Sequence, residues 1–415
     1  MPPAQKRPRD RKAQIARAAS DAFSTSGFHA VSMEQIAARV GVSAAALYRH
    51  APSKYDLFRD AILGLSGQLV AATDFADAAT DVDPTALRHQ LLDALIETSL
   101  ANRAFSGPFR WEGRYLRAQD RAVLAAQVKL VHRRLHRPLM QMRPDLTSLQ
   151  RWTLSSAALS VIGSIADHHA TLSTRQIRAL LATIASDILD TELPTAQQPA
   201  TTPQPSTTQL PTDTGLGMKY EALLQESLKL FHKNGYHDTT IADIAAAAGM
   251  PASGIYRYFA GKADILSAAF RRAADRVSAD LSEALAAEPD PGLVLDRLVD
   301  AYIARSFASP ELAYLYYTEK GNLPADDARI LHNIQRATVE RWAQLVTDVR
   351  PATGLAGARY IVHATFTLVV DLGRLADYDD SAETRTLVRT LVRVTLLGAD
   401  TCRRRGGLSV DGMSA

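Results

Sequence analysis

Residues 44–54 bring together side chains that suit contact with nucleic acid. Three consecutive alanines begin at Ala44, and such small side chains allow a DNA base edge or a thymine methyl group to approach a helix closely. A hydroxyl, a guanidinium, an imidazole and an ammonium group follow them: Tyr48, Arg49, His50 and Lys54. Hydroxyl, imidazole and ammonium groups in such an order suit the DNA phosphates. The segment therefore predicts a DNA-contacting surface.

Three short helices must position these side chains. Apolar residues at helical spacing predict the first helix over residues 11–26, and Gly27 ends it. Residues 32–35 match a capping box, which predicts the start of a second helix that Gly41 stops after about two turns. A third helix starts at Ser43. Two short helices joined by a tight, glycine-containing turn form a helix-turn-helix.

The chain repeats itself at an offset of 208 residues. Twelve of the 34 positions in residues 23–56 are identical to the residue 208 positions later. Between the copies, residues 194–217 are rich in proline, threonine and glutamine and almost free of apolar side chains, which predicts a mobile linker. The chain is therefore two copies of one unit of about 200 residues, too long a period for a solenoid.

Two segments of the sequence resemble the DNA-binding signature of TetR-type transcriptional repressors. They are residues 41–57, GVSAAALYRHAPSKYDL, and residues 249–265, GMPASGIYRYFAGKADI. The double arrangement resembles the tandem TetR-like regulators of actinobacteria, some of which control genes of lipid or sterol uptake and breakdown. The resemblance implies an all-α fold of two tandem units, each a three-helix DNA-binding domain followed by a helical ligand-binding and dimerisation domain.

This reading divides the chain into seven segments. They are a basic N-terminal arm (1–12), a first helix-turn-helix domain (13–60), a first helical regulatory domain (61–193), the linker (194–217), a second helix-turn-helix domain (218–268), a second helical regulatory domain (269–405) and a tail (406–415). The basic arm can enter the minor groove through Arg7, Arg9 and Arg11, and the alternative is a solvated tail with nonspecific attraction to DNA.

The resemblance also assigns roles within each DNA-binding domain. The residues that it turns toward bases are Ala44, Ala45 and Arg49 in the first copy and Ala252, Ser253 and Arg257 in the second. The residues that it turns toward phosphates are Tyr48, His50 and Lys54, and Tyr256, Tyr258 and Lys262. The family usually has an aromatic residue after these, which Phe259 supplies, whereas the first copy has Ala51. This departure concerns how firmly the first recognition helix packs on its core.

Aromatic residues in the rest of each copy predict a pocket for an apolar small molecule, in which Arg110 or Arg114 could meet an acidic group. The candidates are Phe109, Trp111, Tyr115, Trp152, Phe307, Tyr314, Tyr317 and Phe366. The alternative is that these rings are ordinary core. The resemblance to lipid regulators implies a fatty acyl or sterol-derived effector, its coenzyme A thioester included.

Other features of the sequence exclude several functions. The single cysteine, Cys402, rules out an intrachain disulfide, and a redox role for it is less favoured than an incidental one. His132 and His136 lie among arginines, which predicts a solvated basic face in place of a metal site. No cofactor is expected. No uninterrupted apolar run reaches the roughly 18 residues of a membrane span, so we expect a cytoplasmic protein, associated with the nucleoid when bound to DNA.

The sequence thus predicts a non-enzymatic, sequence-specific DNA-binding regulator, most simply a ligand-responsive repressor. Its partners would be a double-stranded DNA operator and a small apolar effector. Because one chain carries two related recognition helices, a monomeric pseudo-dimer reading an asymmetric operator is favoured over a homodimer. The alternative is a ligand-binding or protein-interaction module in which one helix-turn-helix is only structural.

Overall fold

The computed structural model describes residues 8–103, 106–111, 113–168, 170–194 and 215–407. Every regular element in these residues is a helix, which confirms the all-α prediction. Arg7, linker residues 195–214 and tail residues 408–415 lie outside this part of the chain, as do the side chains of Arg9 and of residues 405–407.

Ten α-helices are described in each half. The first half contains α1 (Pro8–Ala30), α2 (Met33–Val40), α3 (Ala44–Tyr48), α4 (Lys54–Ala72), α5 (Phe75–Ala78), α6 (Pro84–Ala101), α7 (Ser106–Trp111), α8 (Ala118–Met142), α9 (Ser148–Gly163) and α10 (Thr174–Leu189). The second half contains α11 (Gly215–Asn234), α12 (Ile241–Ala247), α13 (Ala252–Ile255), α14 (Lys262–Ala287), α15 (Pro291–Ala308), α16 (Pro310–Glu319), α17 (Ala325–Val349), α18 (Gly354–Leu375), α19 (Ala382–Leu397) and α20 (Ala399–Gly407).

The described residues form two compact units. The first comprises the residues up to Thr191 together with His363–Asp371, and the second comprises Glu192–Val362 and the residues from Leu372 onward. The chain halves and the compact units therefore differ by nine residues of α18. Within each unit, the first three helices and the start of the fourth form the predicted DNA-binding domain, which we call the first head and the second head.

Local signals set the helix boundaries of the first head. The Ser32 hydroxyl accepts a hydrogen bond from the amide of Gln35 at 3.2 Å, and the Gln35 side chain accepts from the amide of Ser32 at 2.8 Å, so the capping box is present. Gly41 ends α2 with φ at 71°, a left-handed conformation that glycine adopts without strain. The second head uses the same design, with a capping box between Thr240 and Asp243.

The first helix starts earlier than the sequence predicts, and Gly27 interrupts it where the sequence predicts its end. It begins at Pro8, a residue suited to the first turn of a helix, and continues to Ala30 with a break at Gly27, where φ is 75°. Residues 8–12 of the predicted basic arm are therefore helical.

The core of the first head compensates for the missing aromatic residue. Ala51 is buried in a cluster that also includes Phe58, and the rings of Phe28 and Phe58 pack with their centroids 4.6 Å apart. Leu47 on α3 is fully buried in the same cluster. The first recognition helix thus packs into a cluster that contains aromatic residues of α1 and α4, whereas the corresponding cluster of the second head contains Phe259.

A long apolar stretch at Pro351–Leu375 is a buried core segment. Its most apolar window has a mean hydropathy of 1.2, which is enough to cross a membrane by length and composition alone. However, 72% of that window is buried inside the protein, as is typical of a core helix.

Candidate nucleic-acid interface

The recognition helix of the first head presents most of its predicted contact residues to solvent. The Ser43 hydroxyl caps α3 by accepting from the amide of Ala46 at 3.1 Å. Leu47 is buried and anchors the inner face of α3. Ala44 is half-buried. The other predicted contact residues of this segment are exposed: Ala45, Tyr48, Arg49 and His50. Half of the Tyr48 side chain, 49%, is exposed. The exposed ring of Tyr48 and the neighbouring guanidinium of Arg49 are therefore accessible to a partner and are not part of the hydrophobic core.

The second recognition helix repeats this pattern of exposure, although Pro251 precedes it and no side chain caps it. Ile255 is fully buried, whereas Ala252, Ser253, Tyr256 and Arg257 are exposed, with Tyr256 at 60%. Tyr258, the counterpart of His50, is only half-buried and its ring lies 6.2 Å from that of Tyr220 on α11. Tyr258 therefore packs partly against the second head, whereas the imidazole of His50 is exposed.

The lysine that begins the fourth helix of each unit is bound to the protein's own backbone. The Lys54 ammonium donates to the carbonyls of Phe28 at 2.9 Å and His29 at 3.4 Å and lies 4.5 Å from the centre of the Phe28 ring. Burial lowers the pKa of Lys54. Two of its three N–H groups are thus engaged within the first head.

In the second head this engagement is complete. The Lys262 ammonium donates to the carbonyls of Tyr236 at 2.7 Å, His237 at 3.2 Å and Thr239 at 2.7 Å. An ammonium has three N–H donors, so none remains for a phosphate in this arrangement. The structure gives Lys262 a role in fastening α14 to the turn before α12. The phosphate contact that the sequence predicts stays a prediction, and it would require the ammonium to leave one of these carbonyls.

Arg11 also contacts the backbone of the protein itself. Its guanidinium donates to the carbonyl of Val40, at the C-terminal end of α2, over 3.3 Å. Cations are favoured at this end of a helix by the helix dipole. Arg11 therefore braces α1 against α2, and its predicted contact with the minor groove would require it to leave this carbonyl.

A junction between the first head and its helical body was not predicted. The phenol of Tyr55, on the first turn of α4, donates to the carboxylate of Asp120 on α8 at 2.5 Å and accepts from the amide of Arg117 at 2.8 Å. The guanidinium of Arg117 lies 4.2 Å from the centre of the Tyr55 ring. Burial and the neighbouring Asp120 raise the pKa of Tyr55. Because 65 residues separate the two side chains, no local sequence signal could have paired them.

The aromatic pocket candidates of the first unit make contacts typical of a core. Phe109 and Tyr115 pack against the core of the first head. Trp111 is buried and donates to Asp167 at 2.8 Å, and the Arg110 guanidinium lies 3.2 Å from the same carboxylate. Arg110 therefore already has a protein carboxylate as its partner. Arg114 donates to the Tyr115 hydroxyl at 2.6 Å, while Trp152 stacks on His132 with the ring centres 4.0 Å apart.

The remaining candidates behave similarly. Phe307, Tyr314 and Phe366 are buried, and Tyr317 is half-buried with its ring against Tyr316. A cavity of about 530 Å³ lies in the second unit, but none of the eight predicted residues lines it. The pocket stays a prediction, and these contacts agree with the ordinary-core alternative.

The predicted solvated basic face on α8 is wrong for its central residues. His132 is buried, with Nδ1 2.7 Å from the hydroxyl of Ser155, and burial lowers the pKa of His132 to about 4. Nε2 of His136 lies 3.0 Å from the same hydroxyl. Arg134 is buried as well and forms an ion pair with Asp77 at 2.5 Å. Helix packing turns this side of α8 inward, which the run of charges in the sequence conceals.

The structure supports neither a metal site in the described residues nor a redox role for Cys402. Among the residues that the structure describes, no three histidine, cysteine, aspartate or glutamate side chains are grouped to hold a metal ion. Cys402 is half-buried, and burial raises the pKa of its thiol. An activated, redox-sensing thiolate would need a lowered pKa.

Two exposed recognition helices on capped, separately packed three-helix heads define a helix-turn-helix protein. The sequence profile of bacterial regulatory proteins of the tetR family matches this chain twice, at residues 15–61 and 223–269. Each half of the chain therefore contains one segment that matches the DNA-binding domain of that family.

Two characterised relatives match part of the chain. The "Fatty acid metabolism regulator protein" of Bacillus subtilis is 30% identical over 83 residues, 19% of this chain and 43% of the relative. The "HTH-type transcriptional activator FasR" of Mycolicibacterium smegmatis is 48% identical over 52 residues, 12% of this chain and 24% of the relative. The chain thus spans less than half the length of either relative. Both are named as regulators and neither as an enzyme.

Solved structures of the family resemble one half of the chain. A TetR-family regulator from Bordetella parapertussis has 21% identity and a TM-score of 0.40, covering 43% of this chain and 94% of that protein. The regulator FadR from Bacillus subtilis, solved in complex with stearoyl-CoA, has 17% identity and a TM-score of 0.37, covering 43% of this chain and 98% of that protein.

Proposed function

We propose that this protein is a ligand-responsive transcriptional repressor whose two heads both read DNA. The observation that carries the proposal is the same in both halves. A fully buried aliphatic residue, Leu47 or Ile255, anchors the recognition helix, while the tyrosine and arginine that follow it are exposed. A head retained only as scaffold has no need of an exposed tyrosine and arginine at this position.

The recognition helix of each head would lie in the major groove with its first residues against the bases. Ala44 and Ala45 in the first head, and Ala252 and Ser253 in the second, are small enough for close approach. Arg49 and Arg257 would bind guanine, and the exposed hydroxyls of Tyr48 and Tyr256 would bind phosphates. His50 adds a further phosphate contact in the first head.

We further propose that one chain acts as a pseudo-dimer. The two heads are related but differ at two contact positions, Ala45 against Ser253 and His50 against Tyr258. A homodimer of identical heads reads a palindrome, whereas two different heads on one chain can read two different half-sites. The operator would then be asymmetric. The rival proposal keeps one head as a structural element only.

The effector class rests on similarity. One relative is named as a regulator of fatty acid metabolism, and another was solved with stearoyl-CoA. We therefore propose that the effector is a fatty acyl or sterol-derived molecule, including coenzyme A thioesters. The protein would control lipid metabolism genes in the cytoplasm. The effector can release DNA only through its differential affinity for two states, and a shift from 1:99 to 99:1 needs about 5.5 kcal/mol.

The test is the number of chains on each selected DNA duplex. Operators are selected from random DNA, and the mass of the complex is measured by light scattering. One chain on a non-palindromic site is the expected result, and two chains on a palindrome would contradict the pseudo-dimer. Arg49→Ala and Arg257→Ala should each cost about 1–3 kcal/mol at a different half-site.

One control variant and a reporter gene complete the test. Arg329→Ala, which removes an exposed arginine of α17, should leave DNA binding unchanged. If Arg257→Ala also leaves binding unchanged, the second head is structural and the rival is correct. A reporter gene behind the selected operator then separates repression from activation, and titration with a long-chain acyl-CoA tests the effector class.

A further inference from the structure

The two heads differ in net charge. Residues 11–54 of the first head contain six basic and two acidic residues, whereas the residues 208 positions later, 219–262 of the second head, contain five basic and four acidic residues. With histidines neutral, the formal charges of these segments are +4 and +1. Attraction to DNA of any sequence comes from basic groups that neutralise phosphates, and acids nearby oppose it. The first head is therefore the one with the stronger attraction to a DNA duplex.

Two exposed acids lie at the edge of the second head where Lys262 is bound. Asp238 lies in the turn whose carbonyls accept from Lys262, and Asp243 lies in the first turn of α12. The hydroxyl and the amide of Thr240 donate to Asp243 at 2.7 Å and 2.9 Å, and these bonds lower the pKa of Asp243. The start of α12 thus presents a fixed, ionised carboxylate, which repels phosphates.

The same edge of the first head has one acid fewer. Ala30 and Gln35 stand where the second head has Asp238 and Asp243, and Glu34 is the acid of residues 28–40. Gln35 completes the capping box of α2 with a neutral amide, as Asp243 completes that of α12 with a carboxylate. Either side chain therefore caps the helix, and the negative charge of Asp243 is not required by the fold.

The first head also keeps more groups for phosphates. The Lys54 ammonium donates to two carbonyls and has one further N–H, whereas the Lys262 ammonium donates to three carbonyls. His50 is exposed, whereas its counterpart Tyr258 is half-buried and has its ring 6.2 Å from that of Tyr220. Net charge, neighbouring acids and remaining donors thus favour phosphate binding by the same head.

The second head retains the side chains that would read bases. Ser253 and Arg257 are both exposed. Base contacts discriminate between sequences, whereas phosphate contacts supply most of the affinity that is independent of sequence. A head with base-reading groups and little attraction to phosphates binds weakly by itself. Because both heads belong to one chain, binding of the first head makes binding of the second intramolecular, which raises its effective concentration.

We propose that the first head binds duplex DNA of any sequence on its own, and that the second head binds only its own half-site, on DNA that the first head already holds. This division of roles rests on the proposed function, in which both heads read DNA. The first head then supplies the search along DNA and most of its salt dependence, and the second head adds selectivity.

The test uses the full chain and a fluorescein-labelled duplex of random sequence, about 25 base pairs long. Fluorescence anisotropy gives the affinity between about 50 and 200 mM salt, where each phosphate contact contributes about 0.9 to the slope of log K against log salt concentration. We expect Arg49→Ala to make this slope about 0.9 less steep, and the equivalent variant Arg257→Ala to change it by less than about 0.2. Arg329→Ala removes an exposed arginine of α17 and is the control for net charge.

A second set of variants exchanges the acids between the heads. Asp238→Ala combined with Asp243→Gln gives the second head the residues of the first, and the slope should become about 0.9 steeper because Arg257 can then hold a phosphate. Gln35→Asp gives the first head the capping residue of the second and should weaken binding to the random duplex roughly two- to fourfold. Both capping residues already complete capping boxes in this chain, so these variants keep their helices.

The proposal is overturned by absent binding to the random duplex, by equal slope changes in Arg49→Ala and Arg257→Ala, or by an unchanged slope in the variant without Asp238 and Asp243. The selected operator separates these outcomes from failure of the proposed function. If Arg257→Ala weakens operator binding but matches Arg49→Ala on the random duplex, both heads read DNA and only the division of roles is wrong. If Arg257→Ala leaves operator binding unchanged, the proposed function itself is wrong.

Discussion

Replacing Lys262 by methionine should loosen the second head without changing how its DNA binding depends on salt. Methionine keeps the apolar stem of the side chain but removes the ammonium that donates to three backbone carbonyls. The bond to His237 is exposed and contributes little. The two part-buried bonds, to Tyr236 and Thr239, contribute about 1 kcal/mol each, so the expected loss is about 2 kcal/mol.

Hydrogen exchange is the appropriate assay because the chain has two compact units and its global unfolding need not be two-state. The loss should appear locally, as an approximately 30-fold fall in the protection of amides in residues 236–239. Lys229→Met, which removes an exposed lysine of α11 that pairs with Glu226, is the control and should leave this turn unchanged.

The salt dependence of DNA binding separates a fastening role from a phosphate contact. A lysine that neutralises one phosphate contributes about 0.9 to the slope of log K against log salt concentration. Lys262→Met should lower DNA affinity and leave this slope unchanged. Lys54→Met should make the slope about 0.9 less steep, because the Lys54 ammonium has one N–H beyond its two carbonyl acceptors. A slope change of this size in Lys262→Met would refute the reasoning.

Three further outcomes are expected. His132→Val should flatten the pH dependence of stability, because the pKa of His132 is about 4 in the folded state and about 6.5 in the unfolded state. The stability that this histidine contributes is therefore complete above pH 6.5, and about 2 kcal/mol of it is lost by pH 5. Denaturant unfolding between pH 7.5 and pH 5 measures this loss, with His89→Gln as the control. Tyr55→Phe should cost the first unit about 1–3 kcal/mol, measured by hydrogen exchange in α4, because the acceptor it abandons on Asp120 is buried; an unchanged α4 would mean that water replaces the phenol. Phe259→Ala should cost the second head about 3–5 kcal/mol and melt it at a lower temperature, and a loss below about 1 kcal/mol would show that this ring is not an anchor of the core.

The two heads could be predicted from the sequence because local signals specify them. Capping boxes at Ser32 and Thr240 and helix-ending glycines such as Gly41 act over a few residues, and they agree with the spacing of the apolar residues. The repeat at 208 residues shows the same signals twice. The exposure of Tyr48 and Tyr256 then follows from helical geometry.

Other features required the tertiary structure, because their partners are distant along the chain. Tyr55 meets Asp120 across 65 residues, and Lys262 meets the carbonyls of residues 236–239 across 23 to 26. The burial of His132 was hidden by the arginines around it, because helical periodicity within one element does not reveal which side of a helix another element covers.

The sequence by itself determined that this chain is helical, that it contains two copies of one unit and that each copy begins with a helix-turn-helix head. Only the tertiary structure decided which basic residues are available to a partner and which brace the protein. A lysine or arginine has the same charge in both settings. Whether it meets a phosphate or a backbone carbonyl depends on which acceptor the packed helices bring within about 3 Å of it.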